Sequence, residues 1–303
     1  MKTIAFLILA ALETVHGQAG ASRTVITRPA DAKTKLPAVM LVPWLSCDSV
    51  EPAAGPLDGM NELSKRIGER SGFVYFRVDK PQPCREADFE RELAGYRAGL
   101  ASLRKHPWVD PNRIVLIGMS NGGGILPLVA DGTPVAGYIV VNGWSKTWLE
   151  HMLEHLRRAA EASGKSPGEV SARMGGYAEL YTAYLVGKQT PGEIVRARPR
   201  LAPYWDGEPA HQYGRPAAFF QQLQDANLAA AWSRVAAPAL VIYGEADTIM
   251  SRDDHERIVA MVNRNKPGAA RLVVIPRMTH FVEIDGRFPD AVWTAVEQWL
   301  RAR

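Results

Sequence analysis

Short runs rich in β-branched residues alternate with longer helical patterns, which predicts an α/β protein with a mostly parallel sheet flanked by helices. Two further observations refine that class. One strand runs directly into Gly118-Met119-Ser120-Asn121-Gly122, a glycine-flanked serine in strand–turn–helix context. From Ser145 to about Val235 the strand rhythm stops, which predicts an all-helical insertion between two strands.

Lys2 is followed by an apolar run from Ile4 to Leu12 and then by Ala19-Gly20-Ala21, a small-x-small pattern. These features predict a secretory leader over residues 1–21 and a secreted or periplasmic protein. The run is too short to span a bilayer, and no later stretch approaches the needed length, so the mature chain is expected to be soluble. With the leader removed, Thr24 to Thr27 is the one opening strand left before the core. The predicted core strands are Ala38 to Val42, Phe73 to Val78, Ile114 to Ile117, Val135 to Val141, Ala239 to Tyr243 and Leu272 to Ile275. Several are apolar throughout, as strands covered on both faces should be. Glu90 to Leu103 and Pro289 to Arg301 carry apolar residues at helical spacing and supply covering helices. The core therefore comprises residues 22–144 and 236–303, and the insertion residues 145–235. Within the insertion, Ser166-Pro167-Gly168-Glu169 and Thr190-Pro191-Gly192-Glu193 are in capping-box order and mark helix starts. Its aromatics, among them Trp148, Tyr177, Tyr181, Tyr184, Phe219 and Phe220, read first as core.

The chain of 303 residues has 36 Lys plus Arg against 32 Asp plus Glu, a net charge of +4 without a basic block. Nucleic acid is not an expected partner. The two cysteines, Cys47 and Cys84, each lie just beyond a predicted strand end. In an exported chain they are consistent with one disulfide, and otherwise with two unrelated buried thiols.

A serine on a sharp strand-to-helix turn needs glycines around it, because the neighbouring backbone approaches closely. The next chemistry-bearing groups follow later strands: Asp247 in Gly244-Glu245-Ala246-Asp247, and His280 in Pro276-Arg277-Met278-Thr279-His280-Phe281. The order Ser120, Asp247, His280 is the one expected when a nucleophile, an orienting acid and a base converge at the carboxyl edge of such a sheet. From about Arg28 to the C-terminus the chain resembles the α/β-hydrolase superfamily, helical cap included. The lead Val109-Asp110-Pro111-Asn112-Arg113-Ile114 is similar to that of its dienelactone-hydrolase and prolyl-oligopeptidase-like branch.

The resemblance implies a serine hydrolase acting on a small acyl ester through an acyl-enzyme, with Ser120 as nucleophile, His280 as base and Asp247 as orienter. It implies an oxyanion hole built from the Asn121 N–H and a second N–H of Leu45 or Trp44, in a loop that has Pro43-Trp44 where the family commonly starts with His-Gly. No cofactor or metal is expected. A peptidase of the same branch, an acyltransferase and a non-catalytic binding module are the alternatives. Chemistries of this fold with an aspartate nucleophile are spoken against by Ser120. Ser46, Cys47, Asp254 and His255 are lesser candidates for the same roles. His151 and His155, four residues apart, share a helix face on which no further metal-ligand cluster is visible.

Overall fold

The computed structural model describes residues 11–51, 55–70 and 72–303. Two antiparallel strands, β1 (Leu12–Ala19) and β2 (Ser22–Pro29), open the sheet. Gly20 and Ala21 form the two-residue turn between them, with Gly20 at φ +59°. The small residues that suggest a cleavage site are thus those a tight hairpin also requires. Two strands precede the core where one was expected, and a cut after Ala21 would remove β1 and leave β2 as the edge. The apolar run itself, up to residue 10, lies outside the described residues.

The core strands are β3 (Leu36–Val42), β4 (Val74–Val78), β5 (Val109–Met119) and β6 (Gly137–Val141). After a small hairpin of β7 (His211–Gln212) and β8 (Arg215–Pro216) come β9 (Ala239–Gly244) and β10 (Ala270–Ile275). The main sheet has the order β1-β2-β4-β3-β5-β6-β9-β10, and all its pairings from β4 onward are parallel. β5 starts five residues earlier than the apolar pattern indicates, because Val109 pairs with Leu36 before the register shifts and Ile114 joins Ala38.

Alternate side chains of each strand enter opposite layers. Val39, Leu41, Val115, Ile117, Leu240 and Ile242 pack under α1 (Gly59–Gly68) and α10 (Asp290–Arg301). Met40, Val42, Leu116, Val140 and Val241 face α2 (Phe89–Lys105), α3 (Asn121–Ala130) and α9 (Arg252–Asn265). Each such Val, Leu or Ile contributes about 1.5–3 kcal/mol by leaving water, which is why runs without a polar residue form the strands nearest the site.

Between β6 and β9 lie α4 (Trp148–Ala162), α5 (Pro167–Tyr181), α6 (Pro191–Ala197), α7 (Ala217–Asp225) and α8 (Leu228–Trp232). Capping boxes close the starts of α4, α5 and α6 through Thr147–Glu150, Ser166–Glu169 and Thr190–Glu193. The hairpin β7–β8 is the one departure from a helical insertion among the described residues. It carries Arg215, whose fully buried guanidinium pairs with Glu92 of α2 and donates to the Leu45 carbonyl oxygen at 3.4 Å. Edge-to-face contacts of Phe89 with Phe219 and Tyr138 with Trp232 join the insertion to the core.

Cys47 and Cys84 form a disulfide with their Cα atoms 5.8 Å apart, tying the loop after β3 to the turn after β4. The bond closes a sequence separation of 37 residues, for which loss of chain entropy in the unfolded state is worth about 4 kcal/mol. Replacing both cysteines by serine is expected to lower the thermal midpoint by roughly 5–10 °C. An unchanged midpoint in a calorimetric scan would show that the bond contributes nothing in solution.

Candidate active site

β5 ends at Met119, and Ser120 turns the chain into α3. Its backbone sits at φ 54° and ψ −125°, a conformation that costs a non-glycine residue about 1–3 kcal/mol. Two hydrogen bonds hold the turn: Ser120 N–H donates to the Val141 carbonyl, and Gly123 N–H to the Ser120 carbonyl, both at 3.0 Å. Neither flanking glycine can be enlarged. A Cβ on Gly118 would stand 2.4 Å from the Gly122 carbonyl oxygen, and one on Gly122 would stand 2.1 Å from that of Val42.

The loops after β9 and β10 bring the other two groups to this turn. His280 Nε2 is 2.9 Å from Ser120 Oγ, and His280 Nδ1 is 2.8 Å from Asp247 Oδ2. The second oxygen of Asp247 accepts the N–H groups of Ile249 and Met250 at 2.8 and 2.9 Å. The carboxylate therefore accepts from Nδ1–H, which leaves Nε2 to accept the serine proton. All three residues are buried, between 6% and 7% exposed.

Asn142, at the end of β6, was not singled out from the sequence. Its Nδ2 donates to the Thr279 and His280 carbonyls, both at 3.0 Å, while its Oδ1 accepts the Gly244 N–H at 2.8 Å. One amide thus clamps the histidine loop to the strand that carries Asp247. The available signal was an Asn-Gly pair directly after an apolar strand, since Asn tolerates the φ of 47° it adopts there.

The three groups open onto a cavity of about 410 Å³. Its walls are mainly apolar, with Trp44, Leu45, Met60, Ile249 and Met250 among them. Tyr213 and Phe281 also line it, each more than half exposed. Asn121 begins α3, and its backbone N–H, like those of Trp44 and Leu45, donates to no protein acceptor among the described residues. The helix N-terminus behind Asn121 favours negative charge at that spot.

The sequence matches the alpha/beta hydrolase family model over residues 77–295. The chain belongs to the alpha/beta hydrolase family. Sequence comparison with curated proteins returns no match. Among solved structures this hydrolase is similar to Est1E from Butyrivibrio proteoclasticus, with TM-score 0.62, 14% identity, and 96% of this chain and 99% of that one covered. A thermophilic esterase from Thermogutta terrifontis gives 0.53, 17%, 96% and 98%. A dienelactone hydrolase-like promiscuous phosphotriesterase from metagenomic libraries, P91, gives 0.53, 13%, 96% and 98%. Likeness at such identities shows the fold.

The rival residues of this alpha/beta hydrolase lie in other networks. Asp254 accepts from the Ser145 N–H and the Ser251 hydroxyl, and His255 Nδ1 bonds the Ser251 carbonyl while its ring rests on Tyr243. Ser46 lines the cavity but donates to Asp48, and the Cys47 sulfur is in the disulfide. His151 and His155 also line the cavity. Among the described residues, no group of three or more His, Cys, Asp or Glu is arranged to hold a metal ion.

Burial pushes His151, His155 and His255 below the usual imidazole range, for His151 against the pull of Asp254. A histidine whose folded pKa is depressed takes its proton in the unfolded chain first. Its stabilising effect is complete above the unfolded value of about 6.5 and is lost as pH falls below it. The thermal midpoint should therefore decline on acidification from neutrality, each of these groups contributing up to about 1.4 kcal/mol per pH unit. His151→Gln should flatten the decline, and a slope equal to that of the wild type would contradict the assignment.

Proposed function

We propose that this protein is a serine hydrolase that cleaves small carboxylic esters through a covalent acyl-enzyme. The observation that carries the reading is the hydrogen-bonded sequence Ser120–His280–Asp247 on a strained turn, opening onto an apolar cavity. Ser120 Oγ attacks the ester carbonyl while His280 Nε2 takes its proton. The oxyanion forms beside the Asn121 N–H and the Trp44–Leu45 loop, where each donor is worth about 10²–10³ in turnover. His280 then protonates the departing alcohol, and water, activated by the same imidazole, releases the acid and restores Ser120.

Cleavage of a p-nitrophenyl ester series from acetate to decanoate tests the reading, with an aminoacyl p-nitroanilide alongside. The cavity volume favours an optimum below decanoate. Equal inactivity toward every ester would count against the enzyme and for a binding module. Preferential anilide turnover would favour the peptidase alternative, for which Asp48 and Asp58 line the cavity. Both aspartates are exposed, so an ammonium held there gains little in water, and esters are the better reading.

The proposal includes export, supported by the Cys47–Cys84 bond, which a reducing cytosol does not sustain. N-terminal sequencing of chain recovered from a bacterial periplasm tests it. Recovery of the chain in the cytoplasm alone, with both thiols free, would oppose it. No helix among the described residues is long and apolar enough to cross a membrane.

A further inference from the structure

Two imidazoles of α4, His151 and His155, line the cavity that contains Ser120 and His280. Their rings are nearly parallel, 10° apart in plane, with centroids 6.3 Å apart. His155 Nδ1 lies 3.1 Å from the Thr248 carbonyl oxygen, which only accepts. Nδ1 therefore carries a proton, and Nε2 is the acceptor of a neutral ring. His151 is 3% exposed, packed against the rings of Trp144 and Trp148. Its ring makes no side-chain hydrogen bond among the described residues, and neither ring nitrogen is closed off, so a largely buried imidazole presents to the cavity polar atoms that no protein group meets. A ligand group that bonded it would recover what desolvation has cost.

Charge narrows the class of that ligand. No lysine or arginine lines the cavity, whereas Asp48 and Asp58 do, and the Asp254 carboxylate acts on His151 from behind. An anion would meet the two lining carboxylates and no lysine or arginine in the lining. Burial keeps His151 and His155 neutral near neutral pH, so the pair itself offers an anion no charge. A hydroxyl both donates and accepts, and so can serve the two rings together.

We propose that His151 and His155 form a receptor for an uncharged hydroxyl group carried on an otherwise apolar acyl group, so that the preferred substrates are esters of hydroxylated hydrophobic acids. This inference rests on the ester-hydrolase reading. The hydroxyl donates to His155 Nε2 and exchanges a second hydrogen bond with His151, while the apolar walls take the body of the acyl group. The pair acts in choosing the substrate, and bond-making stays with Ser120 and His280.

The test compares p-nitrophenyl phenylpropanoate with its para-hydroxy and para-carboxy counterparts in the wild type, His151→Phe and His155→Leu at neutral pH. In the wild type the hydroxylated ester should exceed the plain one in kcat/KM by roughly tenfold, and the carboxylated ester should fall below the plain one. Each variant should bring the hydroxyl-to-plain ratio to within about twofold of unity. No hydroxyl preference in the wild type, a preference surviving in both variants, or a preference for the carboxylate would each overturn the receptor. Calorimetric binding of phenylpropanamide and its para-hydroxy form to Ser120→Ala separates the two readings, because it needs no turnover and no histidine variant. Tighter binding of the hydroxylated amide without any ester cleavage would keep the receptor and defeat the hydrolase. Equal affinities would defeat the receptor whatever the esters do.

Discussion

Replacing Ser120 by alanine is expected to lower kcat/KM for the best p-nitrophenyl ester by about 10⁴–10⁶-fold while leaving the protein folded. The loss is large because, in the proposed mechanism, the hydroxyl 2.9 Å from His280 Nε2 is the atom that bonds the acyl carbon. Water arriving in its place lacks the strained turn that presents the serine. Stability should change by less than about 1 kcal/mol, since alanine keeps the Cβ and meets the same backbone strain at φ 54°. Esterase assays and thermal scans on the same preparation read both quantities. Retention of more than about a hundredth of wild-type turnover would place the nucleophile elsewhere. The other serine lining the cavity is Ser46, which donates to Asp48 and bonds no imidazole.

Ser120, Asp247 and His280 were legible as candidates in the sequence because each lies in the turn or loop that follows an apolar strand, and in a parallel sheet those ends share one edge. What made the strands legible is that β6, β9 and the part of β5 from Ile114 to Met119 are buried on both faces, so no polar residue breaks their runs. The opening hairpin was hidden for the opposite reason. β1 is an edge strand with nearly every side chain exposed, and its Ala19-Gly20-Ala21 turn satisfies two local readings at once. The histidine pair was visible only as an i, i+4 spacing on a helix. That this face of α4 lines the cavity depends on how α4 packs against α7, through contacts such as Trp148 with Phe220. Periodicity within one helix carries no trace of such packing. The Arg215–Glu92 pair, 123 residues apart in sequence, is another case: both charges look like solvated surface until the fold buries them together behind the Leu45 loop. Trp44 and Leu45 line the cavity from the loop after β3, which begins with proline and tryptophan.

Asp247→Asn is expected to cost about 10⁴-fold in kcat with the backbone undisturbed. The size follows from where the amide must point. In the wild type Asp247 Oδ1 accepts the Ile249 and Met250 N–H groups, and Oδ2 faces His280 Nδ1. An asparagine keeps those two backbone bonds only by leaving its oxygen there, which turns its NH₂ toward His280. Nδ1 must then accept, the ring proton moves to Nε2, and the imidazole presents a donor to Ser120 where a lone pair is required. The base is lost through its tautomer, with no atom of the ring out of place. Turnover of the variant should rise more steeply with pH than that of the wild type, because hydroxide can take over removal of the serine proton. Asp254 cannot rescue it: its oxygens are held by Ser145 and Ser251 in a separate network. A loss of less than about tenfold in kcat would show that Asp247 does not orient the histidine, and the assignment of the acid would fall while that of the nucleophile stood.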